Sequence, residues 1–368
     1  MKITDMKIHV IRRGHKSEDK TITTAWMEAP VITIMTDEGV EGISCGKIGM
    51  ALAQYLINFK PLILGENPLY IERIWQKLLA SDRIFMYPQP ALGAIDMALW
   101  DISGKVANLP IYQMLGAYRD NIKAYYSFKC DTLEAYVEGA LESKAKGFIA
   151  YKHKPLPRKP ESKNTIEGDI ELCRAVRDVV GKEMILMFDP IGIYRYEEAL
   201  RVGRELDKLN YYWYEEPIPD QNILELITLS NKLDTPIAGL EAYPASLQTI
   251  TQYLISGAVK MVRSNALNQG GITELKKIAA LTEAFGLNFE ITTSANPIAN
   301  VANLHVSCAI KNCEFFEWWV PTKQLWDFGV VKESLNVDNQ GNVHAPQGPG
   351  LGLELDWDYI DDHTVAKL

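Results

Sequence analysis

Short apolar runs alternate with longer amphipathic stretches from about residue 121 to residue 325. Short apolar runs bounded by polar, Gly or Pro residues are typical of buried strands, and apolar residues that recur every three or four positions are typical of helices. Eight such runs occur, at residues 122–128, 148–154, 184–189, 211–215, 236–241, 259–264, 287–292 and 314–319. Eight strands that alternate with helices can close a barrel, so the pattern predicts an α/β fold of the TIM-barrel type over residues 121–325.

The first 120 residues do not follow this period. Residues 3–12 alternate as a strand, and residues 31–43 predict two further strands joined by a turn at residues 37–39. Three helical stretches follow, at roughly residues 50–60, 69–81 and 90–107. This order predicts a separate N-terminal α+β domain over residues 1–120. We expect the Gly- and Pro-rich segment 326–368 to return across the barrel and pack on that domain.

Composition narrows the class of protein. The chain has 368 residues and a formal net charge of −9, which argues against binding to nucleic acid or to acidic membrane surfaces. No apolar run reaches the length of a membrane span, and the N-terminus reads as a strand without an apolar signal core. The five cysteines are scattered, as in proteins that keep reduced thiols. We therefore expect a cytoplasmic protein.

Three acidic residues end three consecutive predicted strands. They are Asp189, Glu215 and Glu241, with 26 residues from each to the next. A carboxylate after a strand is commonly just a solvated strand end. However, all strands of such a barrel end on one face, so three carboxylates in register would point at one place. Hard oxygen ligands suit Mg²⁺, and the spacing therefore favours a magnesium site.

A pair of lysines ends the second predicted barrel strand. Side chains alternate along a strand, so Lys152 and Lys154 share one face and His153 takes the other. Two neighbouring ammonium groups lower each other's pKa, and a lysine perturbed in this way can act as a general base. A Lys-x-Lys strand end is also a common solvated basic edge. The position beside the first acidic strand favours the catalytic interpretation.

Nearly the whole chain resembles the mandelate racemase and muconate lactonizing enzyme branch of the enolase superfamily. The similarity lies in the lysine pair and in residues 94–101, 213–217, 236–241, 270–273 and 302–306. It implies a modified (β/α)8 TIM barrel beneath an N-terminal α+β capping domain that the C-terminal tail completes. It also implies a homo-oligomer that acts on a small-molecule carboxylate.

The same resemblance implies roles for individual residues. Asp189, Glu215 and Glu241 would bind Mg²⁺, and Lys154 would be the catalytic base with Lys152 beside it. Glu317, at the end of the eighth strand, matches the position that hydrogen-bonds the substrate carboxylate. The step shared by the family is removal of the α-proton of a carboxylate, which a lysine alone is too weak a base to achieve without a metal and nearby cations.

The sequence departs from that family at two positions. Racemase-like members carry an Asp at the end of the sixth strand and a His at the end of the seventh, where this chain has Asn265 and Thr292. The muconate branch has a lysine at the sixth-strand position, which is also absent. His305, the nearest downstream histidine, lies in an apolar helical stretch and is predicted to be a helix residue. We expect Asn265 and Thr292 to contact substrate without exchanging protons.

These features predict a Mg²⁺-dependent lyase that dehydrates a sugar acid. Lys154 could serve as base and then as acid in a syn elimination. Other acids could come from loops of the capping domain, where His15, Arg12, Arg13 and Lys47 lie, although such residues are often only exposed loop charges. We take His15 as a candidate substrate contact. The alternatives are an epimerase or racemase of a hydroxy acid and a non-catalytic sugar-acid-binding relative.

Overall fold

An antiparallel sheet and three long helices form the N-terminal domain. The computed structural model describes residues 1–12, 28–85, 88–157, 165–243, 245–294, 296–320 and 329–368. The elements of this domain are β1 (Ile3–Arg12), β2 (Glu28–Thr36), β3 (Glu41–Cys45), α1 (Gly49–Ile63), α2 (Ile71–Phe85), α3 (Gln89–Ala107) and α4 (Ile111–Met114). β1 pairs with β2 and β2 pairs with β3, both antiparallel. The turn between β2 and β3 uses Gly39 at a φ of 78°, a conformation that glycine adopts without strain. The predicted turn and helices are confirmed.

Eight parallel strands form the barrel, as the sequence predicts. Along the chain the elements are β4 (Asn121–Phe128), α5 (Leu133–Ala145), β5 (Ala150–His153), α6 (Ile166–Val180), β6 (Ile185–Phe188), α7 (Tyr196–Lys208), β7 (Trp213–Glu215), α8 (Ile223–Ser230), β8 (Ile237–Gly239), α9 (Leu247–Ser256), β9 (Met261–Ser264), α10 (Ile272–Ala284), β10 (Asn288–Ile291), α11 (Pro297–Ala309) and β11 (Phe316–Val320). Hydrogen-bonded neighbours follow the order β10-β9-β8-β7-β6-β5-β4-β11. Between β10 and β11, the described residues form no ladder, so the barrel is nearly closed.

The tail joins both domains. Its elements are β12 (Asn342–His344), α12 (Trp357–His363) and β13 (Thr364–Lys367). β13 pairs antiparallel with β1, which completes a four-stranded sheet in the order β13-β1-β2-β3. β12 pairs antiparallel with the first residues of β4, at the N-terminal end of that strand, a contact that the sequence pattern does not predict.

Helix α3 fastens the capping domain to the barrel. Asp96 accepts hydrogen bonds from the backbone N–H of Thr273 (3.0 Å) and from its hydroxyl (2.5 Å), at the N-terminus of α10. A Cβ atom on Gly93 would lie 2.5 Å from the carbonyl oxygen of Ala266, so α3 needs glycine here to approach the loop after β9. Trp75 of α2 donates its indole N–H to the Gly270 carbonyl in the same loop. These contacts hold the capping domain over the sixth-strand side of the barrel mouth.

All five cysteines are free thiols, as expected from their scatter. Among the described helices, none has both the length and the apolar character needed to cross a bilayer.

Candidate active site

The ends of β6, β7 and β8 carry the three predicted metal ligands to the mouth of the barrel. Asp189 follows β6, Glu215 is the last residue of β7, and Glu241 follows β8 by two residues. Asp189 and Glu215 are buried, and the side chain of Glu241 is 27% exposed. The Asp189 carboxylate accepts a hydrogen bond from the N–H of Ile191, which fixes its orientation at the strand end.

Lys152 lies between the carboxylates of three strands. Its Nζ is 3.0 Å from Glu215 Oε2, 3.0 Å from Glu317 Oε1 and 3.6 Å from Asp189 Oδ2. Lys154 Nζ is 3.0 Å from Asp189 Oδ2, and its side chain is 20% exposed whereas that of Lys152 is 2% exposed. Lys154 is therefore the lysine that an incoming molecule can reach.

His153 points to the other side of β5, as the alternation along the strand predicts. It is fully buried, and its Nε2 is 2.9 Å from the Tyr211 hydroxyl. Burial lowers the pKa of His153 to about 3, so this side chain stays neutral in the layer between strand and helices.

The mutual lowering of the lysine pKa values is not what the structure shows. Burial lowers the pKa of Lys154 and the neighbouring Lys152 ammonium lowers it further, but the ion pair with Asp189 outweighs both and raises it. Burial also lowers the pKa of Lys152, but Glu215 and Glu317 raise it well above its usual range. The sequence-based expectation failed because it counted the two ammonium groups and not the carboxylates that surround them.

Arg263 is a member of this cluster that the sequence reasoning missed. It is fully buried, and its Nε is 3.0 Å from Glu215 Oε1 and 3.5 Å from Glu241 Oε2. Its Nη2 is 3.4 Å from Glu317 Oε2 and donates to the Tyr125 hydroxyl at 2.9 Å. The signal was present in the sequence, because Arg263 lies two positions before Asn265 and strand residues two apart share a face.

Glu216, which follows Glu215 directly, points away from the cluster. Its backbone has a φ of 39°, and its Oε1 accepts the N–H groups of Glu241 and Ala242, each at 2.8 Å. Burial and the negative charges of Asp220 and Glu241 raise the pKa of Glu216 to about 10. The side chain thus supports the turn that presents Glu241.

The two departures from the racemase pattern lie side by side. Asn265 Nδ2 donates to Thr292 Oγ1 at 2.8 Å, and Asn265 Oδ1 accepts the N–H of Asn268 at 3.0 Å. Both side chains are buried. Next to Thr292, the N–H of Thr293 donates to Glu317 Oε2 at 3.1 Å, so this pair adjoins the carboxylate cluster.

The remaining candidates are placed elsewhere or not described. His305 lies in α11, where its Nδ1 accepts the N–H of Tyr112 and its Nε2 is 3.1 Å from the Leu351 carbonyl, so it is a helix residue as predicted. Arg12 pairs with Glu28 at 2.5 Å. His15 and Arg13 lie outside the described residues.

The chemistry of the acidic cluster fits a divalent cation. No three His, Cys, Asp or Glu side chains of the described residues converge closely enough to bind a metal ion, because Lys152 and Arg263 lie between the carboxylates. The acidic cluster nevertheless has four carboxylates and only three cationic side chains. The carboxylates are those of Asp189, Glu215, Glu241 and Glu317, and the cations are Lys152, Lys154 and Arg263. Burial and the charges of Asp189 and Glu241 raise the pKa of Glu215 to about 8, although Arg263 and Lys152 lower it. Ionisation of all four carboxylates would leave one negative charge that the cluster's own cations do not compensate, and the oxygen donors of the cluster are those that Mg²⁺ prefers.

Comparison with known families matches both domains. Residues 135–359 match the family described as Enolase C-terminal domain-like. Residues 8–116 match the family described as Mandelate racemase / muconate lactonizing enzyme, N-terminal domain.

Individual relatives agree with these matches. The chain is 34% identical to the arabinonate dehydratase of Saccharolobus solfataricus, over 80% of this chain and 79% of that protein. It is 28% identical to the D-xylonate dehydratase of Haloferax volcanii, over 91% and 85% of the two chains. The solved structure of D-glucarate dehydratase from Agrobacterium tumefaciens complexed with magnesium covers 100% of both chains, with a TM-score of 0.89 and 30% identity. The chain belongs to the mandelate racemase and muconate lactonizing enzyme branch of the enolase superfamily.

Proposed function

We propose that this protein is a sugar-acid dehydratase, a lyase that removes the α-proton of a sugar-acid carboxylate and eliminates water. The observation that carries the proposal is the position of Lys154, whose accessible Nζ lies 3.0 Å from Asp189 beside three carboxylates that end consecutive strands. A base next to a cation site that binds the substrate carboxylate is what α-proton removal requires. The names of the relatives, arabinonate and D-xylonate dehydratases, support the same reaction class.

We propose that Asp189, Glu215 and Glu241 bind Mg²⁺. When bound, Mg²⁺ would neutralise charge on the substrate carboxylate and on Asp189, so that burial and the Lys152 ammonium lower the pKa of Lys154 toward neutrality.

The chain's own residues then divide the work. Lys154 takes the α-proton. Lys152, held by Glu215 and Glu317, stays an ammonium beside Lys154 and fixes the positions of these carboxylates. Glu317 accepts a hydrogen bond from the hydroxyl group next to the carboxylate of the substrate. Asn265 and Thr292 offer neutral hydrogen-bonding groups on the side of the mouth opposite Lys154.

The substrate in this proposal is a small sugar acid, bound by a cytoplasmic homo-oligomer that binds neither nucleic acid nor membranes. The net charge of −9 supports the exclusion of polyanionic partners. The epimerase and racemase alternatives need a second group that exchanges a proton with C2 on the face opposite Lys154, and the bonded pair of Asn265 and Thr292 supplies none.

The test is turnover of a panel of sugar acids with Mg²⁺, namely D-arabinonate, D-xylonate, D-mannonate, D-gluconate and D-glucarate. The expected product is the 2-keto-3-deoxy acid. Its formation is measured by derivatisation of its keto group and by NMR in D₂O. The matched control is Lys154→Ala, which should form no product. Binding of these acids without exchange or elimination would instead support the non-catalytic relative.

A further inference from the structure

A lysine of the capping domain reaches the mouth of the barrel. Lys47 lies in the loop between β3 and α1, and its Nζ donates a hydrogen bond to Asn268 Oδ1 in the loop after β9. The N–H of Asn268 donates to Asn265 Oδ1 at 3.0 Å, and its side-chain amide is 3.4 Å from the Glu241 carbonyl. Lys47 is therefore linked to residues that end the fifth and sixth barrel strands.

Lys47 and Lys154 belong to opposite sides of the mouth. Lys154 follows β5, and the loop that Lys47 contacts follows β9. In the strand order around the barrel, β6, β7 and β8 separate β5 from β9 on one side, and β4, β11 and β10 separate them on the other. A substrate bound at the acidic cluster would thus lie between the two ammonium groups.

The surroundings of Lys47 differ from those of the lysine pair on β5. Lys152 and Lys154 both form ion pairs with the acidic cluster, whereas no carboxylate of the described residues lies within ion-pair distance of Lys47. Its one hydrogen bond in the described residues goes to a neutral amide, and an ammonium group has three protons to donate. Burial lowers the pKa of Lys47, which Glu241 only partly offsets, so it loses its proton more readily than a solvated lysine.

We propose that Lys47 is the general acid that protonates the departing 3-hydroxyl group, on the face of the substrate opposite Lys154. This role rests on the proposed dehydratase function and replaces the syn elimination by one lysine with an anti elimination by two. Lys154 takes the proton from C2, and the electron pair of that C–H bond moves into the substrate carboxylate to give an enediolate, which can take a proton back at C2. In a second step that electron pair forms the C2–C3 double bond as the C3–O bond breaks. The leaving oxygen takes a proton from the Lys47 ammonium and departs as water. The enol product then becomes the 2-keto-3-deoxy acid, and exchange with water restores the proton on Lys47 and removes that on Lys154.

The test separates proton exchange from elimination. In Lys47→Met, Lys154 is intact, so exchange of the α-proton with D₂O should stay within about threefold of the unsubstituted protein. Elimination should fall by about 10²- to 10⁴-fold, the range typical of a lost general acid. Both rates come from one NMR time course with whichever acid of the panel is turned over. The matched control is Lys60→Met, another lysine of the capping domain, which pairs with Asp5 and should change neither rate.

A second substrate keeps the test decisive if the variant is generally impaired. The 3-deoxy-3-fluoro analogue of the same acid loses fluoride, which needs no proton to depart. Lys47→Met should therefore eliminate fluoride within about threefold of the unsubstituted protein. Equal losses of exchange and elimination, or equal losses with hydroxyl and fluoride leaving groups, would show a binding or structural role and overturn the proposal. If the unsubstituted protein shows no exchange with any acid, the proposed function itself fails.

Discussion

Asn265 and Thr292 are bonded to each other, with Asn265 Nδ2 donating to Thr292 Oγ1 across 2.8 Å. These two side chains end β9 and β10, where racemase-like relatives would carry a proton-transferring pair. Neither an amide nor an aliphatic hydroxyl titrates near neutral pH. A hydrogen bond between two neutral side chains thus takes the place of the missing pair. These side chains can orient a substrate, but they cannot remove a proton from it or return one to it.

The first prediction concerns the two C2 epimers of a sugar acid. Only the epimer that presents its α-hydrogen to Lys154 should exchange that hydrogen with D₂O, and racemisation should be undetectable. The measurement is an NMR time course on both epimers with Mg²⁺ present. Exchange into both at similar rates would reveal a second base and support the epimerase alternative.

The second prediction separates two adjacent glutamates. Glu215 belongs to the acidic cluster, whereas Glu216 bonds the backbone of the turn that carries Glu241. Glu215→Gln should therefore abolish measurable Mg²⁺ binding in calorimetry. Glu216→Gln keeps every proposed ligand and should weaken binding by roughly 10-fold, as removal of a residue that supports a ligand commonly does.

A crystal soaked in Mg²⁺ gives an independent check of the same assignment. Oxygen atoms of Asp189, Glu215 and Glu241 should lie at about 2.0–2.2 Å from the ion. A bound ion that is coordinated by Glu216 in place of Glu215 would show that the ligands are misassigned.

The third prediction distinguishes the two lysines of β5. Lys154→Ala should abolish α-proton exchange while substrate binding, measured by calorimetry, remains largely intact. Lys152→Ala should also slow exchange, because loss of the neighbouring positive charge raises the pKa of Lys154. The effect should be smaller than that of Lys154→Ala, since the base itself is still present.

Stability gives the matched readout for this pair. Lys152 is buried against Glu215 and Glu317, so Lys152→Ala leaves buried carboxylates without their partner and should cost about 3–5 kcal/mol of unfolding free energy in denaturant titrations. The loss for Lys154→Ala should be smaller, since that side chain is partly exposed. Full exchange activity in Lys154→Ala would refute its assignment as the base.

The barrel was predictable because its pattern is local and repeated. Each strand is a short apolar run that ends in a polar residue, and the regular spacing of Asp189, Glu215 and Glu241 follows from one strand and one helix per repeat. Alternation along β5 likewise fixes which side of the strand Lys152 and His153 occupy.

The charge balance of the site was not predictable in the same way. Arg263, on β9, and Glu317, on β11, approach Glu215 and Lys152 only after the barrel has closed, so no local pattern gives their distances. The pKa of Lys154 depends on the sum of burial, attraction and repulsion, and that sum requires coordinates. The reach of Lys47 from the capping domain to Asn268 is likewise a contact between distant parts of the chain.

The fourth prediction concerns Asp96, the buried carboxyl that joins α3 to the N-terminus of α10. Burial raises its pKa from 3.8 to about 7, although hydrogen bonds from Thr273 lower it. Between about pH 4 and pH 7 the folded protein keeps this proton and the unfolded chain does not. The contribution of Asp96 to the free energy of unfolding therefore falls as the pH rises through this window, by at most about 4 kcal/mol, and is constant above it.

The matched variant for Asp96 is Asp96→Asn, which stays neutral at every pH and can still accept the N–H of Thr273 while donating to its hydroxyl. Denaturant titrations at pH 5, 6 and 7 should show that the unsubstituted protein loses more stability with rising pH than Asp96→Asn does. Asp178→Asn, which replaces an exposed carboxylate on α6, should leave the pH dependence unchanged. If Asp96→Asn and the unsubstituted protein lose stability in parallel, Asp96 is already ionised in the folded state. The contact between the domains would then be made by a carboxylate at the N-terminus of α10 and not by a protonated carboxyl group.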